Sequence, residues 1–228
     1  MPVFFEKDIN AHTKLGIWQI TESEHFFLQK VAPQRDVTHI NKRLQHLAGR
    51  YLLTHMFPGF PSSLIQIADT RKPYLANEEY HFSISHCGTY AAAVVSKTNR
   101  VGVDIEMMTP KVQKIKNKFL SDDELNLINE QWQKDDIAHI PVYDIPTEPL
   151  ILLWSCKEAV FKWYGSGEVD FKEHMVVKEI KQIAKDIYQI TICFQKNQPQ
   201  LLLLQAQFLT MGTTAGLTAH MALSYIVT

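Results

Sequence analysis

One short stretch, residues 154–162, constrains this chain more than any other part of its sequence. It reads WSCKEAVFK, which places one carboxylate and two ammonium groups in an otherwise apolar run of helical character. Charged groups inside a protein need partners, because an uncompensated ion is costly to remove from water. The fold must therefore supply partners for Lys157, Glu158 and Lys162.

A second charged motif lies upstream, in what reads as a strand at residues 101–106, VGVDIE. Residues two apart in a strand face the same side, about 6.6 Å apart at Cα. Asp104 and Glu106 therefore project together, and like charges repel unless a cation lies between them. Mg²⁺ bound by carboxylates and substrate phosphate oxygens is one solution. A solvated strand edge with two harmless acids is the alternative.

Glu158 and Lys162 stand four residues apart, on neighbouring turns of one helix face. An ordinary surface pair of this kind contributes about 0.2–0.5 kcal/mol. The apolar neighbours indicate that most of this helix is buried, which favours a second interpretation. In that interpretation Glu158 is a third carboxylate for a metal, and Lys157 and Lys162 face phosphate oxygens.

The charge balance of the chain limits the classes of partner that it can bind. The 228 residues include 23 basic and 24 acidic side chains, and the net charge is -1. No strong overall field favours binding to nucleic acid or to an anionic membrane. Any anionic ligand must be bound by a local group of cations, and the hydrophobic content of 46% is ample for a core without disulfides.

Cysteine usage and hydropathy point to a cytoplasmic protein. The three cysteines are widely spaced and form no CxxC pair, which argues against a disulfide framework and against a zinc site. The first residues contain acidic side chains and no apolar run typical of a signal peptide. The most apolar later run, residues 201–204, is far too short to span a bilayer.

The pattern of elements predicts an α+β fold with an N-terminal half at residues 1–100 and a C-terminal half at 101–228. Helical spacing predicts a long helix over 38–56, and capping-box patterns at Thr21–Glu24 and Ser121–Glu124 predict two further helix starts, the first helix running to about Val31. A fourth helix carries Lys157, after a polar loop at 133–149. Strands are expected at residues 14–20, 63–68, 80–85, 90–96, from 101, and then at 175–177, 187–194, 201–209 and 217–227 as an antiparallel meander. Periodicity alone leaves open whether the halves are duplicated modules.

Residues 82–88, FSISHCG, end a strand in a polar turn, where side chains are both fixed and reachable. His86 and Ser85 could each donate a hydrogen bond to a phosphate oxygen. A turn-forming Ser and a surface His are the alternative. A thiol nucleophile at Cys87 is disfavoured, because adjacent strand residues face opposite ways and no orienting third residue is evident.

Basic residues before this strand and on the first long helix are further candidates for ligand binding. Lys72 lies in the turn RKPY at 71–74, and Lys42 and Arg43 lie on the helix. Most such charges serve solubility. As a group they could hold a ligand with several phosphates, since Lys and Arg donate charge-assisted hydrogen bonds.

In chain order, the motifs resemble those of the 4'-phosphopantetheinyl transferase superfamily. They are RKP at 71–73, FSISH at 82–86, GVDIE at 102–106, Phe119 with Glu124, and WSCKEAVFK at 154–162. The chain length resembles the longer, surfactin-synthetase-activating type. The first 70 residues and the segment after the lysine-bearing helix contribute little to the resemblance.

The resemblance implies a monomer of two similar α+β halves related by a pseudo-twofold axis, with coenzyme A between them. It implies that Asp104, Glu106 and Glu158 hold Mg²⁺, or Mn²⁺ in its place, against the pyrophosphate. The residues implied to contact the phosphates of coenzyme A are Lys72, Ser85, His86, Lys157 and Lys162, with Lys42 and Arg43 at the 3'-phosphate.

The implied reaction moves 4'-phosphopantetheine from coenzyme A to a serine of an acyl or peptidyl carrier protein and releases 3',5'-ADP. Lys162 and the metal bound by Glu158 would neutralise developing charge, and Glu124 would take the serine proton. Glu124 could instead serve only as the acidic residue of the capping box. A coenzyme-binding module without turnover and a metal-dependent phosphohydrolase are the other two function classes. Cys87 and the Gly165–Glu168 segment depart from the family pattern and leave the carrier preference open.

Overall fold

A computed structural model describes residues 3–32, 37–132, 145–214 and 217–228 of the chain. The strands are β1 (Val3–Asn10), β2 (Thr13–Gln19), β3 (Ile65–Ile67), β4 (Pro73–Leu75), β5 (His81–Cys87), β6 (Tyr90–Ser96), β7 (Val101–Met107), β8 (Met175–Ala184), β9 (Ile187–Phe194), β10 (Gln200–Thr214) and β11 (Leu217–Val227). The helices are α1 (Glu24–Leu28), α2 (Ile40–Met56), α3 (Lys116–Phe119), α4 (Asp122–Trp132) and α5 (Thr147–Tyr164). The fold is therefore mixed α and β.

The chain divides into two compact units. Unit 1 comprises Met1–Ile105, Lys162–Ser166 and Val227–Thr228, and unit 2 comprises Glu106–Phe161 and Gly167–Ile226. The chain passes from one unit to the other within β7 and again within α5. The predicted halves at 1–100 and 101–228 and their pseudo-twofold relation stay predictions.

Unit 1 is built on an antiparallel sheet with the strand order β1-β2-β6-β5. The central strand β6 is buried along its whole length, and α2 packs against β6 and β2. The packing is close, since a Cβ added at Gly49 of α2 would lie 2.7 Å from Ile84 Cγ2 on β5. This close contact fixes β5, the strand that carries Ser85 and His86, against α2.

Unit 2 contains an antiparallel sheet in which β11, β10, β9 and β8 follow one another in that order. Along β9, half-buried and buried residues alternate strictly, as expected for a strand with one face on a core. α4 lies against β8. Most of the α5 residues within unit 2 are buried, so this helix is surrounded by protein on several sides.

Several predicted elements are confirmed. α2 begins two residues later than predicted and ends at Met56 as predicted. The meander of the last four strands is present. The second capping box is also confirmed, because the Ser121 N–H donates to Glu124 Oε2 at 2.7 Å and the Glu124 N–H donates to Ser121 Oγ at 3.2 Å.

The first capping box and the length of its helix are wrong. α1 begins at Glu24 after Ser23, whose side chain makes no capping hydrogen bond, and it ends at Leu28. Glu24 instead accepts hydrogen bonds from Arg43 of α2, so its carboxylate serves an ion pair between two helices. β1 was not among the predicted strands. Residues 133–144 of the predicted polar loop lie outside the described residues.

Within the described part of the chain, no helix combines the length and the apolar character needed to cross a lipid bilayer.

Candidate active site

Asp104 is the most deeply buried acidic side chain of the predicted metal set, with 2% of its surface exposed. It lies on β7 in unit 1, where its Oδ1 accepts a hydrogen bond from Ser85 Oγ at 2.7 Å. Lys162 Nζ also donates to Asp104 Oδ1, at 2.5 Å, and to Ser85 Oγ at 2.8 Å. The structure thus brings three sequence-predicted residues of unit 1 into direct contact.

Side chains alternate between the two faces of a strand, so β5 places Ser83 and Ser85 on the same face. Ser83 and Ser85 are two residues apart and both are buried. Ser83 Oγ accepts the N–H of Val103, while Ser85 Oγ donates to the neighbouring Asp104. One face of β5 therefore offers hydroxyl groups to consecutive residues of β7, which fixes the orientation of the Asp104 carboxylate.

The second oxygen of this carboxylate is available to a cation. Asp104 Oδ2 is buried and has no hydrogen-bond partner among the described residues. A buried carboxylate oxygen without a partner is costly, and such an oxygen is a suitable ligand for a hard divalent cation. Asp104 therefore fits the Mg²⁺ that the family resemblance implies.

A cavity of about 420 Å³ lies in unit 1 beside Lys72 and Arg100. Its walls also include aromatic rings, those of Tyr74, Tyr80, Phe82 and Tyr164 among them. Burial, and secondarily the charge of Arg100, lowers the pKa of Lys72 to about 8. The lining also includes the Glu78 carboxylate, so an anionic group is favoured at Lys72 and Arg100, and apolar or aromatic groups are favoured against the rings.

The absence of a side chain at Gly165 allows the Lys72 side chain to lie close to the backbone there. The φ of Gly165 is +74°, in the left-handed region, and an added Cβ would lie 2.4 Å from Lys72 Cδ. Lys72 Nζ donates to the Trp163 carbonyl at 3.2 Å, near the end of α5. The glycine after the helix is thus required both by the backbone and by the close approach of the lysine.

The remaining predicted residues of unit 1 lie on α2 and at the end of β5. Lys42 and His86 are exposed. Arg43 is engaged in a bidentate ion pair with Glu24, with Nε 2.5 Å from Oε1 and Nη2 2.9 Å from Oε2. This pair lowers the pKa of the Glu24 carboxyl, chiefly through the hydrogen bond from Arg43.

In unit 2 the structure pairs Lys157 with Glu124. Lys157 Nζ lies 2.7 Å from Glu124 Oε1, and the two side chains are 0% and 1% exposed. Lys157 Nζ also donates to the carbonyls of Phe119 at 2.5 Å and Phe171 at 3.0 Å. Burial lowers the pKa of the Lys157 ammonium, and the neighbouring Glu124 carboxylate opposes that shift.

Both oxygens of Glu124 also accept backbone hydrogen bonds, Oε2 from Ser121 at the start of α4 and Oε1 from Val177 on β8. The pair therefore connects α5, α4 and β8 through buried, well-satisfied contacts. Its roles as base and as phosphate ligand stay predictions, and either role requires one of these contacts to open.

Glu106 and Glu158, the other two predicted metal ligands, are half-buried residues of unit 2. Glu106 Oε1 accepts a hydrogen bond from Trp154 Nε1 at 3.1 Å. Among the described residues, no three His, Cys, Asp or Glu side chains form a group that could hold a metal ion. The set of three carboxylates stays a prediction.

Two contributors to the unit 1 site were missed by the sequence analysis. Arg100 lines the cavity and donates to the Tyr164 carbonyl, and Thr70 Oγ1 donates to the Gly165 carbonyl at 2.9 Å. Their partners lie 64 and 95 residues away in the sequence. No local sequence pattern marks either residue. Thr70 directly precedes the motif RKP, and this position was the one available signal for it.

Comparison with known proteins identifies one matching family model and a distant relative. A model described as the 4'-phosphopantetheinyl transferase superfamily matches residues 100–213, which is half of the chain. The chain is also 33% identical over 125 residues to the enterobactin synthase component D of Salmonella austin. That match covers 54% of this chain and 48% of the relative, so the chain spans about half the length of the curated relative that it matches.

Replacing Lys157 with Met should strongly destabilise the protein. The change leaves the buried Glu124 carboxylate without its counter-ion, which typically costs about 3–5 kcal/mol of unfolding free energy. Urea denaturation measures this loss, with Lys178→Met on the exposed side of β8 as the matched control. Adding Glu124→Gln to Lys157→Met should recover part of the loss, because the unpaired charge is removed. Equal stability of Lys157→Met and the control would contradict a structural role for the pair.

Proposed function

The chain belongs to the 4'-phosphopantetheinyl transferase superfamily, and from this premise we propose that it transfers 4'-phosphopantetheine from coenzyme A to a carrier protein. The acceptor is a serine hydroxyl of an apo acyl or peptidyl carrier domain, and the second product is 3',5'-ADP. One observation carries the proposal. Within the matched segment, the buried Asp104 carboxylate is in contact with the Lys162 ammonium.

Lys162 is suited to a role at the reacting phosphate. Its side chain is 26% exposed, whereas that of Asp104 is 3% exposed, so the ammonium lies between a buried carboxylate and solvent. An ammonium held in this way can donate to a phosphoryl oxygen without being reoriented at the moment of reaction. Lys162 would thereby stabilise the negative charge that develops on the transferred phosphate and on the leaving group.

Asp104, Glu106 and Glu158 would hold Mg²⁺, or Mn²⁺ in its place. The unpartnered Oδ2 of Asp104 supports this assignment. When bound, the ion would supply positive charge against the pyrophosphate of coenzyme A. Lys162 already compensates Oδ1, so Asp104 can use one oxygen for the lysine and the other for the ion.

The phosphates of coenzyme A would be bound by residues of unit 1. Lys72 lines the 420 Å³ cavity together with Arg100, and Ser85 and His86 lie at the end of β5. The exposed Lys42 remains a candidate for the 3'-phosphate. Arg43 would have to break its ion pair with Glu24 before it could contact a phosphate. Lys157 would likewise have to break its ion pair with the buried Glu124 carboxylate.

The serine proton needs a base, and Glu124 is the proposed residue. A carboxylate can accept a proton from a hydroxyl group, but the Glu124 side chain is 1% exposed and forms an ion pair with Lys157. Action as a base therefore requires that docking of the acceptor releases one carboxylate oxygen, directly or through a water molecule.

The name of the relative and the length of this chain bear on the acceptor and on the type of transferase. The relative is named as a component of a synthase, which supports a carrier domain of a biosynthetic multienzyme as acceptor. We further propose the surfactin-synthetase-activating type, a monomer with two pseudo-twofold related halves, and a cytoplasmic location.

Incubation with coenzyme A and Mg²⁺, with and without an apo carrier domain, tests the proposed reaction. We expect 3',5'-ADP to be released only when the carrier is present, with a matching gain in carrier mass. Release without carrier would indicate a phosphohydrolase. Coenzyme binding without release across a panel of carriers would indicate a binding module, and either result would overturn the proposal.

Glu158→Gln should abolish transfer and leave the fold nearly intact. The amide keeps the shape of the half-buried side chain but removes the negative charge that a divalent cation needs. Transfer rates at several Mg²⁺ concentrations measure the effect, and thermal unfolding checks the fold. Glu168→Gln, at an exposed residue, is the matched control. An active Glu158→Gln protein would remove Glu158 from the metal set.

The dependence of kcat/KM for coenzyme A on pH should report the Lys72 ammonium. Since the pKa of Lys72 is about 8, its charge is present below that pH and is lost above it. We expect kcat/KM to fall by about tenfold as pH rises from about 7 to about 9.5, because a charge-assisted hydrogen bond to phosphate is lost. Lys72→Arg should remove that fall, and Lys72→Met should be low throughout. Coinciding profiles for the wild type and Lys72→Arg would exclude the contact.

A further inference from the structure

The end of α5 is held by three side chains from another part of unit 1. The carbonyls of three consecutive residues, Trp163, Tyr164 and Gly165, each accept a hydrogen bond from a side chain. The donors are Lys72 Nζ at 3.2 Å, an Arg100 guanidinium nitrogen, and Thr70 Oγ1 at 2.9 Å, respectively. We call these three donors the α5 clamp.

The physical basis of the clamp is the partial negative charge of the carbonyl groups at the C-terminal end of a helix. The last turn of a helix lacks intrahelical donors and carries partial negative charge. Two cations and a hydroxyl are therefore favourable partners there. Arg100 makes a second contact, with its guanidinium carbon 5.0 Å from the Trp163 ring centroid, and Trp163 Nε1 donates to Thr228 Oγ1 at 2.9 Å.

The clamp acts on residues that directly follow Lys162. The Lys162 ammonium makes short contacts with Asp104 and Ser85, and such contacts tolerate little displacement of the helix backbone. A rotation of the last turn would move the base of the Lys162 side chain away from β7. The backbone hydrogen bonds of Trp163, Tyr164 and Gly165 oppose that rotation.

We propose that Thr70 and Arg100 are positioning residues that keep Lys162 in contact with Asp104 by holding the end of α5. The inference rests on the proposed function, because Lys162 is the group that acts on the transferred phosphate. Neither residue needs to touch coenzyme A or the metal for this role. Loss of the Thr70 hydroxyl should therefore reduce kcat and leave the KM for coenzyme A within about twofold of the wild type. Loss of Arg100 should reduce kcat and also raise that KM, because Arg100 additionally lines the proposed phosphate cavity.

Matched substitutions separate the hydrogen bonds from side-chain volume. Thr70→Ser keeps the hydroxyl donor, whereas Thr70→Val keeps the shape and removes the donor. Arg100→Lys keeps a cationic donor, whereas Arg100→Met removes it. We expect the double variant Thr70→Val/Arg100→Met to lose about tenfold in kcat, which is less than the roughly 10²-fold cost of a misplacement of about 1 Å. Thr70→Ser should stay near the wild type, as should the exposed control Lys178→Gln, and Arg100→Lys should keep a higher kcat than Arg100→Met.

A second measurement reports the position of Lys162 without any turnover. The NMR signal of the Lys162 side-chain ε-carbon, assigned with Lys162→Arg, senses the contact with Asp104. We expect it to shift towards the value of a solvated lysine in the double variant and to stay in place in Thr70→Ser and Arg100→Lys. Thermal unfolding establishes that each variant is folded.

The two measurements distinguish failure of the inference from failure of the proposed function. If the wild-type protein transfers nothing but the Lys162 signal moves as expected, the clamp stands and the reaction is wrong. An unmoved Lys162 signal and an unchanged kcat in the folded double variant would overturn the clamp. Equal losses in the Ser and Val variants of Thr70 would also overturn it, because the hydroxyl would then not be the acting group.

Discussion

The buried carboxylate of Asp104 is the feature on which the arrangement of unit 1 depends. A charge that is 2% exposed must be compensated, and the protein compensates it with the Lys162 ammonium and the Ser85 hydroxyl. Both partners contact Oδ1, and Oδ2 stays without a hydrogen-bond partner among the described residues. The same carboxylate therefore serves an internal contact and remains ready for a cation. The close packing of α2 on β5 and the glycine after α5 both maintain this arrangement.

The lysines of the motif WSCKEAVFK show why residue type alone does not settle a role. The sequence indicates that Lys157 and Lys162 both need anionic partners, and both have one. Lys157 is fully buried, and its ammonium contacts a carboxylate and two backbone carbonyls, so its charge is compensated inside the protein. Lys162 keeps part of its surface in contact with solvent. The two lysines are distinguished by burial, which depends on tertiary packing and is absent from the local pattern.

Local signals predicted the elements whose stabilising contacts are themselves local. The capping box at Ser121 and Glu124 joins residues three apart, and α2 shows a clear helical repeat of apolar residues. β1 has no clean alternation of burial and contains two register irregularities, so the period-two pattern that predicts a strand is weak there. Glu24 has the spacing of a capping residue, but Arg43, 19 residues away, takes its carboxylate. Thr70 and Arg100 were beyond prediction because their carbonyl partners are far away in the sequence.

A chain with a net charge of -1 binds a polyanion only where cations are concentrated, and such a concentration is unfavourable until the anion arrives. Lys72 shows this cost directly. Burial and the nearby Arg100 lower its pKa to about 8, so the fold disfavours its charged form. A phosphate bound beside Lys72 would oppose both effects, since its negative charge favours the charged form and raises the pKa of the lysine. If coenzyme A binds at Lys72 as we propose, its binding near pH 8 would be accompanied by proton uptake at this residue, which would link ligand affinity to pH.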